Sequence, residues 1–167
     1  MSWLLWLNGQ TDAAIALGEA LPDGIRSWSF PRLLASAGRY DEAADVIKFT
    51  PADFFPADVK ANAVSLLRSA PDRVLSPHDL PRLGWFDFVY LYIGAPDRVM
   101  DFYKAGVNAH YSVSIVTAYL WHPTYARIRK TERFKTFLRD VGLIEYWKQR
   151  VWPEFCHPTS ANDFACE

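Results

Sequence analysis

The chain has 167 residues, enough for one domain with a sizeable core, and 50% of them are hydrophobic. Aromatic residues reach 16%, with 7 Trp and 11 Phe, which excludes an intrinsically disordered chain. The formal net charge of −1 excludes a global field that would gather nucleic acid or anionic membrane.

No uninterrupted apolar run, Trp3–Leu7 included, approaches the roughly 18 residues of a membrane span. The N-terminus lacks the basic region and the apolar length of a signal peptide, so a cytoplasmic location is expected.

From the N-terminus onward, four segments repeat one pattern: GQTDAAIAL from Gly9, GRYDEAADV from Gly38, SAPDRVL from Ser69 and GAPDRVM from Gly94. Three positions after each small residue stands an Asp: Asp12, Asp41, Asp72 and Asp97. Two positions further on stands Ala14, Ala43, Val74 or Val99, and three before the small residue stands Trp6, Ala35, Leu66 or Leu91.

Each unit reads as a helical hairpin. The small residue ends the first helix, where a left-handed backbone suits Gly. The Asp opens the second, as N-cap or in its first turn, facing free N–H groups and the positive end of the helix dipole. Pro71 and Pro96 fit the start of a helix, where no N–H partner is needed. Ala and Val at the inward position let two helices approach closely.

The hairpins span about residues 2–21, 28–48, 57–76 and 84–105, with Pro-marked connections at 49–56 and 76–84. A helical cap covers 110–151 and an extended tail covers 153–167. The first helix expected at 85–93 contains FDFVYLYI, which has the aromatic content of a strand, but its place before Gly94 favours helix. No segment alternates as a half-buried strand should. The fold class is therefore all-α, with 1–152 as a single helical-repeat domain.

The stretch AGRYDEAADV resembles the central turn of a tetratricopeptide repeat, Gly-x-Tyr-x-x-Ala. Gly38, Tyr40 and Ala43 match it, and Gly9 and Ala14 match without the Tyr. That family keeps 34 residues per unit, whereas the units here recur about every 25 to 31 residues, which implies shortened, irregular hairpins. Residues 120–156 resemble the C-terminal end of bacterial tetratricopeptide arrays fused to adenylate cyclase or winged-helix regulator domains. The resemblance rests on Trp121, Pro123, Arg129, Arg133-Phe134, Gly142-Leu143, Tyr146-Trp147, Trp152-Pro153 and Cys156. It implies a regulatory or protein-binding array, and it does not imply cyclase activity or DNA binding. It also implies a periplasmic location if the chain is part of a membrane-anchored regulator.

The most chemically loaded segment lies in that region. Arg127, Arg129, Lys130, Arg133, Lys135 and Arg139 cluster beside Tyr125 and Phe134, as a nucleic-acid grip over 127–139 would require. Amphipathicity accounts for more of the pattern. Phe134, Phe137, Leu138 and Val141 define one apolar helical face and leave the charges to the wet side. Leu143, Ile144, Trp147 and Val151 define a second buried face.

Cys156, His157 and Asp163 are the residue types of a thiol enzyme, but adjacent residues rarely align a thiol with an imidazole. Neither a phosphate loop nor a hydrolase or metalloprotease motif is present, and no standard metal-ligand spacing joins Cys156, His157, Cys166 and His122. His78 and His110 read as loop or helix-end residues. Cys156 and Cys166 are free thiols in a reducing compartment and a disulfide in an oxidising one.

No cofactor is implied. The favoured function is non-catalytic protein–protein interaction or regulation through a helical-repeat surface, with a protein or peptide partner. Trp3, Trp6, Tyr90 and Tyr92 are its candidate surface residues. The first helix is apolar on nearly every side, so a homodimer or a docked partner is expected to cover it.

Overall fold

A computed structural model describes residues 2–22, 29–51, 55–71, 79–109 and 117–167. Asp72, Val74, His78 and His110 lie outside these ranges. Helices dominate the described residues, and the strands among them form one two-stranded sheet. The chain divides into two compact units, Met1–Ala95 and Pro96–Glu167, so a boundary falls inside the hairpin expected at 84–105.

The first unit holds α1 (Ser2–Leu7), α2 (Thr11–Glu19), α3 (Phe30–Ser36), α4 (Tyr40–Phe49) and α5 (Ala57–Leu67), then a 3₁₀ helix over Gly84–Leu91. Consecutive helices pack on one another from α1 to α5. The repeated Gly builds the same turn three times. Gly9, Gly38 and Gly94 have φ of 76°, 78° and 78°. The N–H of the following residue then donates to a carbonyl five residues back: Gln10 to Leu5 at 2.9 Å, Arg39 to Leu34 at 3.0 Å, and Ala95 to Tyr90 at 3.0 Å. This is the hydrogen-bond pattern by which a left-handed C′ residue closes a helix.

Asp12 and Asp41 lie in the first turns of α2 and α4, while Gln10 and Arg39 hold the N-cap positions. Their carboxylates act on the helix dipole rather than as caps. The inward positions of the pattern are closed: Trp6, Ala14, Ala35 and Ala43 are fully buried, Leu66 and Leu91 nearly so. The α2–α3 contact is close enough to demand glycine, since a Cβ on Gly18 would lie 2.4 Å from the Phe30 ring.

Residues 84–91 are 3₁₀ rather than α-helical, with non-helical torsions at Phe86. Phe86 through Leu91 are all buried. A segment enclosed on every side has no amphipathic stripe to hold it at a period of 3.6.

The second unit begins with a 3₁₀ turn, Pro96–Arg98, leading into α6 (Val99–Asn108). Short 3₁₀ turns at Ala118–Trp121 and Pro123–Tyr125 precede α7 (Ala126–Arg129), α8 (Glu132–Asp140) and α9 (Leu143–Gln149). The Thr131 hydroxyl caps α8 by accepting from the Phe134 N–H at 3.2 Å. Phe134, Phe137 and Leu138 are buried along α8, and Ile144 and Trp147 along α9. Val151 does not join that second face; it is 81% exposed.

The expected extended tail folds back as an antiparallel hairpin, β1 (Cys156–Pro158) against β2 (Phe164–Cys166), with Cys156 opposite Cys166. Phe164 is fully buried and ends a run of ring contacts from Phe134 through Trp121, Trp147 and Trp152, with centroids 5.6–6.1 Å apart. The hairpin is thus anchored by one aromatic side chain among four others. Burying a ring of that size is worth about 1.5–3 kcal/mol, enough to hold a short hairpin that is marginal alone.

Candidate functional site

The basic segment separates into inward and outward residues. Arg129 is 3% exposed and donates from Nη1 to the carbonyls of Leu120 at 2.7 Å and His122 at 3.1 Å. Its Nε donates to the Glu167 carbonyl. It is therefore a buried brace joining the 3₁₀ turns to the end of β2, and not part of a surface patch. The physical reason is its place on α7, where neighbouring Ile128 is also buried and three carbonyls converge on the guanidinium.

Arg133 is exposed and pairs with the Asp101 carboxylate at 2.7 Å and the Asp97 carbonyl at 3.3 Å. Lys135 and Arg139 both hold Asp163, at 3.0 and 3.1 Å, and both cations lie over the Phe164 ring. The Lys135 contact keeps the Asp163 carboxyl below the ordinary carboxylate range, and Asp163 in turn raises the Lys135 ammonium. Arg127 and Lys130 are both exposed. Four of the six cations thus direct donors to other residues of the chain, and they serve the fold of the second unit.

The same hairpin fixes the cysteines. Cys156 and Cys166 are joined by a disulfide and both sulfur-bearing residues are buried. Cys156 carries no thiol in this state, His157 is exposed, and Asp163 is engaged by Lys135 and Arg139. The three residues of the thiol-enzyme reading are therefore not assembled as nucleophile, base and orienter.

The aromatic candidates are also reassigned. Trp6 is fully buried and its indole N–H donates to the Ser36 hydroxyl at 2.9 Å, which ties α1 to α3. Trp3 is half-buried, and Leu4 at 45% is the more exposed residue of α1. Tyr90 is buried and its hydroxyl donates to the Pro81 carbonyl at 2.5 Å. Tyr92 is partly exposed, with its ring centroid 5.2 Å from that of Tyr40. Its hydroxyl is enclosed without a hydrogen-bond partner among the described residues, and burial raises its phenol above the ordinary range. Of the four, only Trp3 and Tyr92 keep accessible surface of any size. Inward-facing rings with a polar tip need only one partner at that tip, and Ser36 and the Pro81 carbonyl supply it.

One polar feature of the first unit is absent from the sequence-based expectations. Arg32 and Asp87 form an ion pair at 3.0 Å with side chains 3% and 1% exposed. The guanidinium also donates to the Trp85 carbonyl and lies 5.0 Å from the Phe88 ring centroid. Asp87 Oδ2 has no partner among the described residues. Burial pushes the Asp87 carboxyl up to about 6, against the pull of Arg32. Both residues interrupt otherwise apolar runs, FPRLLA and WFDFVYL, and that solitary charge was the available signal.

The concave features of the two units differ in character. Between α6 and α8 a cavity of about 220 Å³ is lined by residues of both charges, among them Asp101, Lys104, Arg133 and Asp140. A larger groove of about 640 Å³ lies along α4 and α5 in the first unit, where the lining charges are Lys48, Lys60 and Arg68. Among the described residues, no group of three His, Cys, Asp or Glu side chains could hold a metal ion, and no helix is long and apolar enough to cross a membrane. The chain matches no protein-family model, no curated protein and no solved structure.

Proposed function

We propose that this chain is a non-catalytic protein-binding or regulatory module built of short, tetratricopeptide-like helical hairpins. The observation that carries the reading is the turn repeated at Gly9, Gly38 and Gly94, each with the same left-handed torsion and the same reach-back hydrogen bond. A recurrent hairpin whose inward positions are small and buried is the unit from which helical binding surfaces are stacked. The open groove along α4 and α5 supplies such a surface in the first unit.

Nucleic-acid binding through 127–139 is the weaker reading, because Arg129 is enclosed and Arg133, Lys135 and Arg139 already meet carboxylates. Of the two compartments considered, the Cys156–Cys166 bond favours an oxidising one, such as the periplasm of a membrane-anchored regulator. Affinity purification followed by cross-linking and mass spectrometry tests the function. A stoichiometric protein partner that survives nuclease treatment is the expected result. Recovery of nucleic acid alone, or substrate turnover by the purified chain, would overturn the reading.

A further inference from the structure

We infer that the groove along α4 and α5 receives an acidic amphipathic helix of a partner protein. This inference rests on the protein-binding reading above and adds the surface and the chemistry of the ligand. The groove is large enough to take one helical face, at about 640 Å³. Its floor is the stripe Ala57, Ala61 and Val64, which recurs at helical spacing along α5. Small side chains there leave room for the larger apolar residues of an incoming helix.

The rim has one sign of charge. Among the described residues Lys48, Lys60 and Arg68 line it and no carboxylate does. Lys60 donates to the uncharged Thr50 carbonyl, and among the described residues no carboxylate pairs with it. Lys48 lies over the Phe49 ring, and among the described residues no carboxylate pairs with it. Arg68 is offset by Asp45 at 2.6 Å. Phe49 itself is 77% exposed, a large aromatic surface next to the cationic end of the groove.

Apolar floor, cationic rim and an exposed aromatic together select a ligand with an apolar face flanked by carboxylates. Helix-in-groove recognition uses that arrangement, with apolar anchors three and four residues apart. Rim charges of this kind steer encounter and exclude partners of like sign. A basic helix would be repelled by the rim, and a nucleic-acid backbone would gain nothing from the Ala–Val floor.

The test uses the full chain and a fluorescent designed helix with Leu along one face and Glu on both flanks. The controls are the same peptide with Lys in place of Glu and a scrambled version. Anisotropy should show saturable binding of the Glu peptide, at least about tenfold tighter than either control. Ala61→Glu places a like charge on the groove floor and should weaken binding by about tenfold or more, whereas Ala61→Ser should bind as the parent does. Position 61 is exposed, and circular dichroism of both variants should match the parent.

Equal binding of Glu and Lys peptides, or binding indifferent to Ala61→Glu, would overturn the groove assignment. So would self-association of the chain that Ala61→Glu abolishes, since the occupant would then be a second copy. If a native partner is captured and still binds the Ala61→Glu variant, the groove fails while the protein-binding reading stands. If no protein partner is captured at all, the broader reading fails by its own test.

Discussion

The Arg32–Asp87 pair is the most consequential polar contact at the level of single residues. Both side chains are enclosed, and the raised Asp87 carboxyl means that burial outweighs the attraction of Arg32. Its folded-state value lies above the unfolded one, so the folded chain holds more protons between about pH 4 and pH 6. The contribution of this group to stability therefore falls as pH rises through that window. Asp87→Asn should remove that falling limb, read as the difference between parent and variant in urea melts across the window. A parent whose pH profile matches that of the variant there would show that the pair is more solvated than the structure indicates. Arg32→Met alone should cost about 3–5 kcal/mol at neutral pH and drive the carboxyl higher still, because it strands a buried acid. Replacing both by Met and Leu should be neutral or stabilising by about 1–4 kcal/mol.

At the level of elements, two glycines separate backbone strain from packing. Gly38 has a positive φ and open space where a Cβ would stand. Gly38→Ala should then cost about 1–2 kcal/mol from the left-handed backbone alone, with Gly38→Asn costing less. Gly18 lies in α2 and owes its identity to the Phe30 ring, which passes 2.4 Å from the point where a Cβ would stand. Gly18→Ala should cost about 1–3 kcal/mol by overpacking, and Phe30→Leu should recover part of it in a double-mutant cycle. Additive losses would argue against that contact.

The C-terminal hairpin gives a third element-level test. Its disulfide spans a sequence separation of 10, and the ordinary gain for a loop of this size is about 2–3 kcal/mol. Thermal unfolding of the parent should shift downwards in reductant, and a Cys156→Ser, Cys166→Ser variant should match the reduced parent and ignore reductant. The hairpin is not legible as strands in the sequence because three-residue strands show no alternation. What holds it is Phe164 among Trp152 and its neighbours, with Asp163 gripped by Lys135 and Arg139.

At the scale of the whole molecule, the near-neutral charge balance reappears in part as local pairing among the described residues. Arg39 holds Glu19 and Glu42, Arg68 holds Asp45, and Arg133 holds Asp101. Association with duplex DNA or with single-stranded RNA should accordingly be weak at moderate salt. Arg127→Ala and Lys130→Ala should change it little in an anisotropy titration over a salt series. A steep loss of affinity with salt, by about a thousandfold or more from low to physiological range, would instead restore the nucleic-acid reading. The groove along α4 and α5 differs from the cavity between α6 and α8 in that its lining charges share a sign, which is why the ligand inference rests there.

The sequence by itself determined the helical class, the register of the Gly turns and the inward placing of Ala14, Ala43 and Val99. Those features are local: a left-handed Gly, a first-turn Asp and an apolar periodicity act within a few residues of chain. It did not determine which aromatics and cations are spent in the interior. Trp6, Tyr90 and Arg129 look like surface chemistry until Ser36, the Pro81 carbonyl and the carbonyls of Leu120 and His122 are brought to them from elsewhere in the chain. A side chain with an apolar body and a polar tip suits either solvent or core, and only the partner delivered by the tertiary fold decides between them.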